Sequence, residues 1–191
     1  MEWLADLEAN PPHDSKNGWT VKQEGDYKMP IGCKYKAYTK NLGKGVCVQT
    51  IYTCEGVSAK GYSKFVKDMY VETPDFICVD KREDGMQYTL VNTLPLPCCV
   101  WNRYAIIKVT ENWDENGNCI VTECSLPDHP DFPLPKRHFR LLSNKFLRLT
   151  NVGDDLQITE VVWLDFQGSI PPSWIESMHM GNVDYGMKEY T

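Results

Sequence analysis

The chain has 191 residues, 42% of them hydrophobic, and a formal net charge of −6 at pH 7. That length predicts one domain, 1–191, able to bury roughly 70% of the surface its unfolded form exposes. The acidic balance excludes a dedicated nucleic-acid surface and a polybasic membrane patch, both built on clustered Lys and Arg, and no apolar run approaches the ~20 residues that span a bilayer.

The opening MEWLADLEANPP is acidic and lacks the basic-then-apolar pattern of a signal peptide, so a cytoplasmic location is expected. Trp3 to Leu7 predicts the end of a short helix, stopped at Asn10-Pro11-Pro12. Trp19 to Glu24, Cys33 to Thr39 and Val46 to Glu55 predict strands, the last with Val46, Val48, Thr50, Tyr52 and Cys54 on one face. Ser58 is a predicted N-cap for a helix with Tyr62, Phe65, Val66 and Met69 on one stripe. Strands follow at Phe76 to Asp80, Gln87 to Leu94, Arg103 to Asn112 and Cys119 to Leu126, with turns at Glu83-Asp84-Gly85 and Asn116-Gly117. Three more are expected near Arg137 to Leu142, Lys145 to Asn151 and Leu156 to Phe166. Pro171-Pro172 suits the first turn of a last helix carrying Trp174, Ile175, Met178, Val183 and Met187. Strands, helix, many antiparallel strands, helix: the order is α+β, with a large sheet.

The eight cysteines include no C-x-x-C pair and no zinc-finger spacing to His. Six fall in apolar segments, where a reduced thiol acts as a small hydrophobe; the vicinal pair Cys98-Cys99 is the one redox alternative. The nucleophile-elbow, zinc-protease, P-loop and dinucleotide motifs are all missing. Asp128-His129-Pro130-Asp131 looks metal-like, but its prolines mark a turn. No catalytic residue, metal or cofactor is predicted.

Two segments carry family information: VTECSLPDHPDFPLPKRHFR from Val121 to Arg140, and WLDFQGSIPPSWI from Trp163 to Ile175. With YTLVNTLPLPCCVWNRYAIIK between Tyr88 and Lys108, they resemble the START (StAR-related lipid transfer) family over roughly residues 17–190. The final IPPSWIESMHMGNVDYGMKEY is similar to its phosphatidylcholine-transfer branch. Departures are Asn102-Arg103-Tyr104 in place of Arg-Asp-Phe/Tyr, and Pro74-Asp75 in place of Trp-Asp.

The resemblance implies a helix-grip fold: a large curved antiparallel sheet wrapped around a long C-terminal helix, with an internal lipid cavity. It implies a monomeric protein, peripheral at membranes, that binds one lipid (phospholipid favoured, sterol second) and transfers it between membranes. Transient membrane contact would run through the loop 93–102, where Leu96, Val100 and Trp101 are apolar, and through the last helix. A lipid-sensing regulatory module is the alternative, and a small-molecule enzyme on the same fold a more distant one.

The candidate ligand residues start with charges inside apolar strands. Lys108 shares a strand face with Tyr104 and Ile106, and either lines the cavity or reaches solvent. Glu160 alternates with Leu156, Ile158, Val162 and Leu164; it either faces the cavity, able to pair with Lys108 or a head group, or lies on the exposed face. Tyr88 and Asn92 share a face of the preceding strand. Tyr88, Trp101, Tyr104 and Trp113 either cage a choline cation or pack ordinarily. Trp174 and Met178 belong to the last helix, whose methionines suit an adaptable wall against lipid chains.

Overall fold

The structure, a computed structural model, describes residues 18–27, 32–41, 45–72, 76–96 and 100–180. The expected helix at Trp3 to Leu7, the Pro74-Asp75 pair, Cys98-Cys99, Val183 and Met187 lie outside the described residues.

Three strands open the chain: β1 (Thr20–Tyr27), β2 (Cys33–Asn41) and β3 (Val46–Cys54). Helix α1 (Ala59–Glu72) follows, then β4 (Phe76–Val79), β5 (Gln87–Leu94), β6 (Asn102–Trp113) and β7 (Cys119–Ser125). The short β8 (His138–Arg140) precedes the long pair β9 (Leu142–Val152) and β10 (Asp155–Asp165). Helix α2 runs over 172–180. The strands join in one sheet of order β1-β2-β3-β10-β9-β7-β6-β5-β4, antiparallel throughout except for β8, which adds to β6 in parallel.

Alternation sorts the side chains. Val46, Val48, Tyr52 and Cys54 of β3 face one large core cluster, with Tyr88 and Leu90 of β5, Ala105, Ile107 and Val109 of β6, and Leu156 and Ile158 of β10. Cys33 of β2 and Phe76 of β4 meet the same cluster from near opposite ends of the strand order. A sheet this wide brings such strands to one core only by curling around it.

Both helices pack on that inner face. In α1 the inward residues are Ala59, Tyr62, Ser63 and Tyr70, whereas Phe65 and Met69 of the expected stripe are exposed. The buried stripe is therefore rotated from the one predicted, because Ser63 turns inward to reach Glu111. Ser58 caps the helix as expected, its Oγ accepting from Gly61 N at 3.1 Å, and Asn151 Oδ1 accepts from Ala59 N at 2.9 Å. In α2, Ile175, Met178 and Met180 join the core. Glu176 ties that helix to the first strands, accepting from Thr39 Oγ1 at 3.2 Å and pairing with Lys22 at 2.9 Å.

Two smaller clusters cover the outer face. Trp19, Tyr38, Cys47 and Val161 form one. Val91, Tyr104 and Ile106 form the other, beneath Leu126 and Phe132 of the loop after β7. His129 of the Asp-His-Pro-Asp segment pins that loop: its Nδ1 accepts from Asp131 N at 3.2 Å, which leaves Nε2 to donate to Asp80 Oδ2 at 2.8 Å. Cys33 and Cys54 face each other across β2 and β3 as buried cysteines, Sγ atoms 3.1 Å apart.

Candidate functional site

A cluster of three charges lies within the largely apolar inner face. In β9, Lys145 alternates with Leu147 and Leu149, so it points inward with them. Register then supplies its partners. Glu123 of β7 stands directly opposite Lys145, and Glu160 of β10 lies diagonally across, two residues from Val162. The Lys145 Nζ is 3.4 Å from Glu123 Oε1 and 3.1 Å from Glu160 Oε1. Tyr52 of β3 adds a phenol that donates to Glu160 Oε2 at 3.0 Å. The three charged side chains keep 19, 10 and 15% of their exposure for Lys145, Glu123 and Glu160, so the cluster is mostly enclosed.

The electrostatics follow from burial and pairing. Burial opposes the Lys145 charge, but Glu123 and then Glu160 outweigh it and lift its pKa well above the ordinary lysine value. Burial likewise pushes Glu160 toward protonation; Lys145, His179 and the Tyr52 hydrogen bond reverse this and hold its pKa below the usual carboxylate value. Burial, and then the nearby Glu160 charge, keep Tyr52 protonated as a donor. His179 of α2 completes the group. Burial depresses its pKa and Lys145 adds to the effect, while Glu160 opposes it, so the imidazole is neutral at pH 7. Its Nε2 is sealed from solvent and has no hydrogen-bond partner among the described residues. One ammonium against two carboxylates leaves this cluster with an excess negative charge.

A second ionic group docks α1. Glu111 of β6 accepts from Ser63 Oγ at 3.1 Å, Lys67 Nζ at 2.9 Å and Trp113 Nε1 at 3.1 Å.

The candidate residues divide by strand parity. Glu160 faces inward, which resolves its two alternatives, but its cation is Lys145 rather than Lys108. Lys108 is exposed, on the outer face of β6. Tyr104, on the same face, is buried beneath the loop after β7. The face shared by Tyr104, Ile106 and Lys108 is real, but it is the outer one; the inner one carries Ala105, Ile107, Val109 and Glu111, one residue out of step. Tyr88 is inward, and Asn92 lies on its strand face, half-buried. Met178 packs on the core, whereas Trp174 is 44% exposed and Trp101 51% exposed. No choline cage forms from Tyr88, Trp101, Tyr104 and Trp113: Tyr88 is inside, Tyr104 outside, Trp101 stacks on Phe139 at 5.3 Å, and Trp113 serves Glu111.

Sequence reasoning missed Lys145, Glu123, Tyr52 and His179 as a group. The signal that singled out Glu160, a charge alternating with aliphatics, was present in KFLRL for Lys145 and in CIVTE for Glu123.

No family model matches the sequence, and no curated protein does. Solved structures do match. Human STARD10 superposes with a TM-score of 0.70 at 14% identity, over 96% of this chain and 76% of that one. Human StAR-related lipid transfer protein 5 gives 0.63 at 13% identity, over 92% and 85%. A STAR-related lipid transfer protein from Xanthomonas axonopodis gives 0.62 at 19%, over 81% and 86%. The fold is that of the StAR-related lipid transfer domains. The lipid transfer and protein localization domain of human StarD13 shares this START fold, with a TM-score of 0.62 at 16% identity, over 88% and 86%. Among the described residues of this START-fold chain, no helix is long and apolar enough to cross a membrane.

Proposed function

We propose that this chain, as a single domain, binds one amphiphilic lipid in a cavity inside the START fold and carries it between membranes. The observation that carries the reading is the Lys145–Glu123–Glu160 cluster, buried in a largely apolar interior with the Nε2 of His179, which has no hydrogen-bond partner among the described residues. An apolar interior rewards a lipid tail by about 0.8 kcal/mol per buried methylene. Polar atoms sealed among those tails need partners, and a head group supplies them. Several proteins sharing the fold are described as lipid transfer proteins or domains, which supports the same reading.

The excess negative charge selects the head group. A phosphodiester would meet two carboxylates, while a hydroxyl or amine donates to them. This turns the sequence-based preference for a phospholipid toward a hydroxyl-bearing neutral lipid such as a sterol. Glu160, Tyr88, Asn92 and Met178 keep their proposed ligand roles. Tyr52, Lys145 and His179 join them, and Lys108 and Tyr104 leave. Entry and exit run past the 93–102 loop and α2 at a membrane surface, with the protein otherwise monomeric in the cytoplasm. The reading assigns the chain no catalytic step.

Transfer of a fluorescent sterol and a fluorescent phosphatidylcholine between vesicles tests it. The sterol should move faster, and Glu160→Gln should erode that preference. Equal transfer of both by the wild-type chain would overturn the head-group reading, and transfer of neither would overturn the carrier. The description of the StarD13 domain as one of lipid transfer and protein localization favours a second reading, a lipid-sensing module. Lipid-dependent capture of a partner protein without vesicle transfer would favour it.

A further inference from the structure

A cleft of about 580 Å³ opens at the surface between β6, β8 and α2, away from the interior cluster. Trp101, Phe139 and Trp174 wall it, each at least partly exposed, and Ile170 and Pro171 extend its apolar lining. Arg103 lines the same cleft, yet only 1% of this residue is exposed.

Among the described residues, that guanidinium is clamped by three backbone carbonyls. Its Nε donates to Phe166 O, one terminal nitrogen to Trp101 O, and the other to Gln167 O at 2.9 Å. Its face lies over Phe139, 5.0 Å from the ring centroid. Among the described residues no carboxylate lies within ion-pair distance of it, in contrast to Arg140 and Arg82. Arginine has five N–H donors, so the three bonds leave one on each terminal nitrogen. Carbonyl dipoles offset part of the cost of burying the cation, but they do not neutralise it. Consistent with this, burial lowers the Arg103 pKa with nothing opposing it.

We propose that this cleft is a second binding site, for a small anionic amphiphile whose carboxylate meets Arg103 and whose apolar body lies between Trp101, Phe139 and Trp174. Charge complementarity fixes the head: the two free donors of Arg103 sit one on each terminal nitrogen, and a carboxylate has an oxygen for each. The volume lies in the range of small-ligand pockets, and aromatic walls with one placed polar group are their usual lining. A free ligand fits better than an anionic membrane. The cation lies at the floor of a concavity, and the chain's net charge of −6 repels an anionic surface. The site is independent of the interior reading, because none of its lining residues belongs to the Lys145 cluster.

The test uses decanoate, decanol and decylamine, which share a tail and differ in head group. Indole N–H signals of the ¹⁵N-labelled chain report binding at Trp101 and Trp174. Decanoate should shift both and bind about ten-fold more tightly than decanol, the scale of one charge-assisted hydrogen bond. Decylamine should bind no better than decanol. Because Arg103→Met removes three structural hydrogen bonds and risks misfolding, the decisive variant is Ser169→Glu. Ser169 is an exposed residue lining the same cleft, and the new carboxylate would take the cation. It should reduce decanoate affinity about ten-fold and leave decanol unchanged. Equal affinity for the three probes would overturn the proposal. So would decanoate binding that survives Ser169→Glu, which would place it in the interior, or indole shifts seen only with phosphatidylserine vesicles.

Discussion

Lys145 stands between two carboxylates, and its removal is the sharpest single-residue perturbation the structure offers. Lys145→Met would leave Glu123 and Glu160 facing each other in a mostly enclosed space. The expected loss is about 3–5 kcal/mol, the range for stranding one side of a buried ion pair. Urea denaturation at pH 7 measures it, and adding Glu160→Gln should recover part of the loss. A loss below about 1 kcal/mol would mean that water already screens the cluster. His179 makes the pH dependence specific. Its folded pKa lies below its ordinary 6.5, so the unfolded chain takes up the proton first as pH falls through that value. Stability therefore declines with acidification from about pH 6.5. Glu160, held below its ordinary 4.5, adds a separate loss as pH falls through that value and below. Urea midpoints at pH 7.5, 6 and 5 should show the first decline in the wild-type chain. His179→Leu should flatten it, and an equal slope in that variant would assign the decline to other groups. Lys108→Ala should leave head-group selectivity unchanged, because Lys108 is solvent-exposed.

At the scale of elements, most of the fold was legible, and the main misses concern which face of a strand turns inward. Strands β2, β3, β5, β6 and β10 were predicted nearly to their ends, since alternation and turn residues mark them independently of context. Which face turns inward is a different question, because a strand that is apolar on both faces carries no local sign of it. In β6, Tyr104 and Ile106 are as apolar as Ala105 and Ile107. Only the loop that folds back to cover Tyr104 with Phe132 makes the even face a second, outer core. In β10 the same ambiguity was left open for Glu160, and the pairing with β9 resolves it. The parallel attachment of β8 to β6 was not legible either, since three residues hold too little pattern to choose a partner. Helix α1 shows a cap that local sequence did announce. Ser58→Ala should cost about 1 kcal/mol by removing the acceptor for Gly61 N. Thermal unfolding should register it, while a neutral result would mean that Asn151, bonded to Ala59 N, already satisfies the helix start.

Over the whole molecule, the fold is shared with lipid transfer domains at only 13–19% identity. Curling a ten-stranded sheet around two helices requires alternation, turns and caps, which many sequences supply. The proposed head-group site requires a few placed charges, and whether they meet depends on the register between strands. This is why the architecture could be read from the segments at Val121 to Arg140 and Trp163 to Ile175, while the pairing of Lys145 with Glu123 and Glu160 could not. The two proposed sites also differ in charge. The inner face, with its excess carboxylate, suits an uncharged or donating head; the outer cleft, with its lone guanidinium, suits an anion. The proposed interior site holds one lipid. Native mass spectrometry of the purified chain, followed by organic extraction of what it carries, tests this most directly. A single hydroxyl-bearing lipid class at one per chain is the expected result. A protein that is empty, and stays empty after incubation with mixed vesicles, would contradict it.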